Sequence, residues 1–110
     1  MSFTLISREA AEAQTTIAVG ITVATSDEIP FAFAQGKYFI PAGSSITLVT
    51  FYAAPIEGGT YTIMRDILNA NITQVVSAGF NYEFPDEAFG APWVKMIGDA
   101  ADSVLVSFKG

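Results

Sequence analysis

Period-two alternation of apolar and small polar residues runs through most of the chain. Residues 15–25 show it most clearly. Ile17, Val19, Ile21 and Val23 fall on one face, with Thr16, Ala18, Gly20, Thr22 and Ala24 on the other, which predicts a half-buried strand rich in β-branched residues. Ser26-Asp27-Glu28-Ile29-Pro30 reads as a turn or loop, Pro30 biasing the residue before it toward extended geometry. Residues 31–40 carry Phe31, Phe33, Tyr38 and Phe39 around a Gln35-Gly36 break. They predict two short strands or one bulged strand. After the turn signal Pro41-Ala42-Gly43-Ser44, residues 45–54 are extended and apolar on both faces, as in a strand central to a sandwich or packed in an interface.

Residues 55–59 turn on two glycines into a strand over 60–66. Ile67-Leu68-Asn69-Ala70-Asn71 reads as the connection of a hairpin whose second arm is 72–76, the asparagines tolerating left-handed geometry. A further strand spans 80–84, Pro85 to Ala88 suits a single helical turn with carboxylates at its start, and strands over 93–97 and 103–109 close the chain. About eight short strands with turns every ~8 to 12 residues predict an all-β fold. A two-sheet antiparallel β-sandwich of jelly-roll type is the first expectation. Residues 1–14 are set apart as an N-terminal arm before a single domain over 15–110. Phe3 and Leu5 are the arm's apolar anchors, and the segment reads either as a frayed terminus or as an arm that orders on a neighbouring subunit.

Composition narrows what such a sandwich does. The chain has 110 residues, enough for one domain with a core of its own, and it contains neither cysteine nor histidine. A thiol nucleophile, a disulfide framework and a Ser-His-Asp device are therefore excluded. Charged residues make up 15%, against about 25% in an average protein. Either the exterior is made of Ser, Thr, Ala and Gly, or a good part of it is covered by other chains, and small size with low charge tilts toward the second. The net charge of −6, with five scattered basic residues, argues against nucleic acid and against an anionic membrane surface. No stretch is long and apolar enough to span a bilayer. Arg8 and Glu9 precede any useful hydrophobic run, so the N-terminus does not read as a secretory signal and Asn71-Ile72-Thr73 is treated as a chance glycosylation match.

The candidate chemistry is thin. Asp86-Glu87 reads as helix-start charge and Asp99-x-x-Asp102 as turn chemistry, with a calcium loop as the alternative for the second. Trp93, Tyr52, Tyr61 and Tyr82 read as core or interface anchors, with a sugar-binding platform as the alternative. No metal and no cofactor is expected, and no catalysis.

The succession Phe80-Asn81-Tyr82, Phe84-Pro85-Asp86-Glu87-Ala88-Phe89-Gly90-Ala91, Trp93-Val94-Lys95, Asp99-Ala100-Ala101 and Val104-x-Val106-x-Phe108-Lys109-Gly110 resembles the ends of small structural proteins of tailed bacteriophages. Pro41-Ala42-Gly43, Ile46-Thr47, Tyr52-Ala53-Ala54 and Glu57-Gly58-Gly59-Thr60-Tyr61 look like the same kind of protein, so the resemblance runs from Pro41 onward. It implies a virion component made in the host cytoplasm, of the head decoration or cement type. Its expected partners are the major capsid protein and copies of itself, trimers included. The contact residues expected of it are Phe3, Leu5, Pro55 and Ile56. A carbohydrate-binding or host-attachment module of a tail or fibre is the rival expectation.

Overall fold

The computed structural model describes residues 16–21, 25–31 and 35–109. They form nine strands, β1 (Thr16–Ile21), β2 (Ile29–Pro30), β3 (Gln35–Phe39), β4 (Leu48–Ala54), β5 (Thr62–Ile63), β6 (Thr73–Val75), β7 (Asn81–Glu83), β8 (Trp93–Gly98) and β9 (Asp102–Lys109), with a 3-10 helix over Asp86–Gly90. Every pairing is antiparallel. One sheet has the order β1-β9-β3-β7, and the other β2-β8-β4-β5, with β6 also on β4. The expected two-sheet antiparallel sandwich is the observed architecture. The arm 1–14, with Phe3 and Leu5, lies outside the described residues.

The alternation places the core between the sheets. Tyr38, Val104, Val106 and Phe108 come from the first sheet; Ile29, Val49, Phe51, Val94 and Met96 come from the second. None of these is more than 1% exposed. Phe84, one residue beyond β7, is the joint of this core. Its amide donates to the Gly36 carbonyl of β3 at 3.1 Å. Its ring meets Phe31 edge-on at 4.9 Å, stacks on Phe108 at 5.6 Å and touches Phe51 of the opposite sheet at 6.0 Å. Such offset and edge-to-face contacts add about 0.5–1.5 kcal/mol each to the area they bury. The Gln35-Gly36 break acquires a reason here: a Cβ on Gly36 would stand 2.6 Å from the Phe108 ring and 3.1 Å from that of Phe84.

Two segments depart from the sequence reading. Ile29–Pro30, read as loop, pairs with Val94 and Trp93 of β8. Pro30 is accommodated because β2 lies at the rim of its sheet, where the missing donor goes unneeded. Ser26 leads into it, exchanging backbone bonds with Met96 through its own amide and hydroxyl, each 2.8 Å. The second departure concerns the arms 60–66 and 72–76. They do not form an ordinary hairpin but lie in line along one edge of β4, β6 on Leu48 to Thr50 and β5 on Tyr52 and Ala53. The junction is Phe51, whose carbonyl accepts from the Met64 amide and whose amide donates to Ile72. Between Met64 and Ile72 the chain leaves the sheet as a short hairpin, bridged at Arg65 and Asn71.

Truncating the joint tests this packing. Phe84→Ala is expected to lower stability by about 3–5 kcal/mol, and Gly36→Ala by about 1–3 kcal/mol through overpacking. Denaturant unfolding followed by Trp93 fluorescence measures both. Losses within about 0.5 kcal/mol, the range of ordinary surface changes, would remove Phe84 from its place as the joint.

Candidate interaction surfaces

The tip of the hairpin carries the most exposed apolar residues among those described: Ile67 is 99% and Leu68 85% exposed. The turn beneath them is tightly bonded. Asp66 Oδ1 accepts from the Leu68 and Ala70 amides, both at 2.9 Å, and the Asp66 carbonyl accepts from the Asn69 amide at 2.9 Å. The Asp66 amide donates to the Ala70 carbonyl, and Arg65 Nη1 donates to the Asn69 carbonyl at 3.2 Å. Asn69 sits in the left-handed region (φ 64°), which asparagine tolerates better than most residues. The Asp66, Leu68, Asn69 and Ala70 amides, the Asp66, Asn69 and Ala70 carbonyls and the Asp66 carboxylate are therefore occupied within the turn. Two large apolar side chains are held out into solvent on a defined scaffold, where each forfeits about 1.5–3 kcal/mol of possible burial.

Pro55 and Ile56 occupy the loop after β4, and both are exposed, Ile56 at 65%. That loop is stapled from across the sheet. Glu28 Oε2 accepts from the Gly58 amide at 2.7 Å and from the Tyr61 hydroxyl at 2.6 Å, while Lys95 Nζ stands 4.7 Å over the Tyr61 ring. The Tyr61 hydroxyl and Gly58 amide bonds hold the Glu28 carboxyl below its usual range. Burial and the Glu28 bond push the Tyr61 hydroxyl well above its own. Both expected loop residues thus lie at the surface, some distance in sequence from the hairpin tip. Further exposed apolar residues come in registered pairs, Leu48 with Val75 on one sheet and Phe39 with Leu105 on the other.

Three of the four aromatics, Tyr52, Trp93 and Tyr61, neighbour Lys95 on the outer side of the second sheet, and Tyr82 stands apart from them. Tyr52 and Trp93 lie on the face of the second sheet away from the core, Tyr52 opposite Lys95, and Tyr61 is tied to Glu28. Tyr82 packs on Tyr38 of the first sheet, ring centroids 5.9 Å apart, its hydroxyl accepting from the Ser77 amide at 2.8 Å. The carboxylate pairs have separate structural surroundings. Asp86 and Glu87 are exposed in the first turn of the 3-10 helix. Asp99 binds the start of β4: Oδ1 accepts from the Thr47 amide at 2.8 Å and from the Leu48 amide at 3.3 Å, and Oδ2 accepts from the Thr47 hydroxyl. Asp102 instead accepts from the Ser103 amide at 2.8 Å. Among the described residues no three carboxylates gather in a metal-binding group.

The Ile67-Leu68 pair was missed as a contact site because the segment reads as a turn. The signal was available in the two consecutive large apolar residues between Asp66 and Asn69, where turn chemistry favours polar ones.

No family model and no curated protein matches the sequence. The solved structure of the SPBc2 prophage-derived protein YomS shares the fold, with a TM-score of 0.54 and 13% identity over 86% of this chain and 93% of that one. At that identity the likeness is one of fold.

The anchoring carboxyls set an acid response. The Thr47 hydroxyl and amide bonds hold Asp99 below its ordinary 3.8, as the Tyr61 and Gly58 bonds hold Glu28 below its ordinary 4.5. A carboxyl depressed in the folded state contributes its stability above the unfolded value and loses it as pH falls through the folded one. Stability is therefore expected to decline below about pH 4, and Asp99→Asn to be less stable at neutral pH but less sensitive to acid. Thermal unfolding across pH checks this; an unchanged acid slope in Asp99→Asn would contradict it.

Proposed function

We propose that the chain is a non-enzymatic structural component of a bacteriophage particle, a decoration or cement protein that docks on the major capsid protein and bridges its subunits. The observation that carries the proposal is the bonded hairpin tip presenting Ile67 and Leu68 to solvent. A monomer gains nothing from that exposure, whereas a protein that seats two apolar knobs in a neighbour's surface gains the burial they forgo alone. Three further observations support it: the low charged content of 15%, the exposed Pro55-Ile56 loop, and the fold shared with a prophage-derived protein. Many copies on one lattice let modest single contacts hold through avidity.

The double substitution Ile67→Ser/Leu68→Ser tests this. The hairpin turn is bonded through backbone groups and Asp66, so stability is expected to stay within about 0.5 kcal/mol of the parent. Binding to heads of the source phage, measured by cosedimentation, is expected to weaken by at least about a hundredfold, from the burial of two side chains lost. Unchanged binding by the variant, or no binding by the parent chain, would refute the proposal.

A further inference from the structure

The outer face of the first sheet carries a different kind of surface from the hairpin tip. An open groove of about 470 Å³ runs along β3, past β7 and β9, to the 3-10 helix. Its volume falls within the range of about 300–1,000 Å³ usual for small-molecule sites. The strand alternation that sends Tyr38 into the core turns Gln35, Lys37 and Phe39 outward, a row spanning about 13 Å at ~3.3 Å per residue. The middle of the row is one rung across three strands, Glu83, Lys37 and Ser107 standing side by side in register. Phe39, 41% exposed, borders the groove on β3, and Phe89 and Asp86 border it from the 3-10 helix.

The chemistry of this lining restricts its ligand. Glutamine and serine both donate and accept, the ammonium of Lys37 only donates, and the carboxylates of Glu83 and Asp86 only accept. Lys37 Nζ bonds Asn81 Oδ1 at 3.3 Å, and among the described residues neither carboxylate has a hydrogen-bond partner. The lining carries two carboxylates to one ammonium, so an anionic ligand is repelled, while a cationic one would pair with Glu83 or Asp86 but leave Gln35, Ser107 and the phenylalanine rings unmatched. A neutral ligand that offers hydroxyl donors and acceptors along its length, and apolar C–H faces to the phenylalanine rings, satisfies the whole lining. We infer that the groove over Gln35, Lys37, Glu83 and Ser107 is a binding site for a neutral oligosaccharide, such as the uncharged glycans of a cell surface. This site shares no residue with the hairpin tip and lies on the opposite sheet from Trp93.

A panel of neutral gluco-, galacto-, manno- and chito-oligosaccharides, with anionic oligosaccharides as controls, tests the site by backbone-amide NMR titration of the full chain. At least one neutral member is expected to give saturable shifts centred on Gln35 to Phe39, Glu83 and Ser107. Glu83→Ala and Phe39→Ala are each expected to weaken it about tenfold, the scale of one lost charge-assisted or aromatic contact, with thermal stability retained. Trp93→Phe is expected to bind as the parent does. Three outcomes would each overturn the assignment: no saturable shift with any neutral oligosaccharide, shifts centred on Tyr52 and Trp93 of the other sheet, or binding confined to the anionic controls.

Discussion

Everything in this molecule depends on the aromatic joint between the sheets. Phe84 belongs to the first sheet by its backbone bond to Gly36, yet its ring reaches Phe51 in the middle of the second. The chain has no cysteine to cross-link the layers, and the interlock of Phe84 with Phe31, Tyr38, Phe51 and Phe108 keeps the two sheets in one relative position. The 3-10 helix follows directly and contributes Phe89 to the same group. Close packing of rigid rings transmits position as well as stability, so the loops and strand edges are held at defined places.

That rigidity gives the surface its meaning. Because Phe51 both packs on Phe84 and marks the point where the chain leaves β4's edge, the projecting hairpin is rooted in the core. Asp66 then closes the tip with its own carboxylate, and Glu28 staples the Pro55-Ile56 loop through Gly58 and Tyr61. An apolar side chain on such a support pays little conformational entropy when it docks. The outer face of the first sheet uses the same core differently: Tyr38 pointing inward is what turns Gln35, Lys37 and Phe39 outward.

Much of the fold was legible because alternation is a local property. The strands over 45–54, 93–97 and 103–109 appear close to where their patterns place them, and the turns with Gly43, Gly58 and Gly79 have the positive φ angles that glycine permits. What the pattern does not carry is partnership. The arms 60–66 and 72–76 look like a hairpin in sequence, and only the free edge of β4 makes them lie in line. Ile29-Pro30 reads as loop from its Ser-Asp-Glu lead, yet the extended bias that Pro30 places on Ile29 suits the strand found there, and a sheet rim tolerates the proline. The contact surface was less legible still. Pro55 and Ile56 announce themselves beside glycines; the apolar pair Ile67-Leu68 is visible within its turn segment, but its exposure follows only from the hairpin leaving the core. The groove joins residues from β3, β7, β9 and the 3-10 helix that sequence spacing does not relate.

The measurement that bears most directly on the proposed role is the copy number of this chain, relative to the major capsid protein, in purified virus particles from its source, by quantitative mass spectrometry. A decoration protein seated across the head lattice predicts a count on the scale of the capsid protein itself. A count matching only the few copies of a tail, or the absence of the chain from particles, would contradict that role.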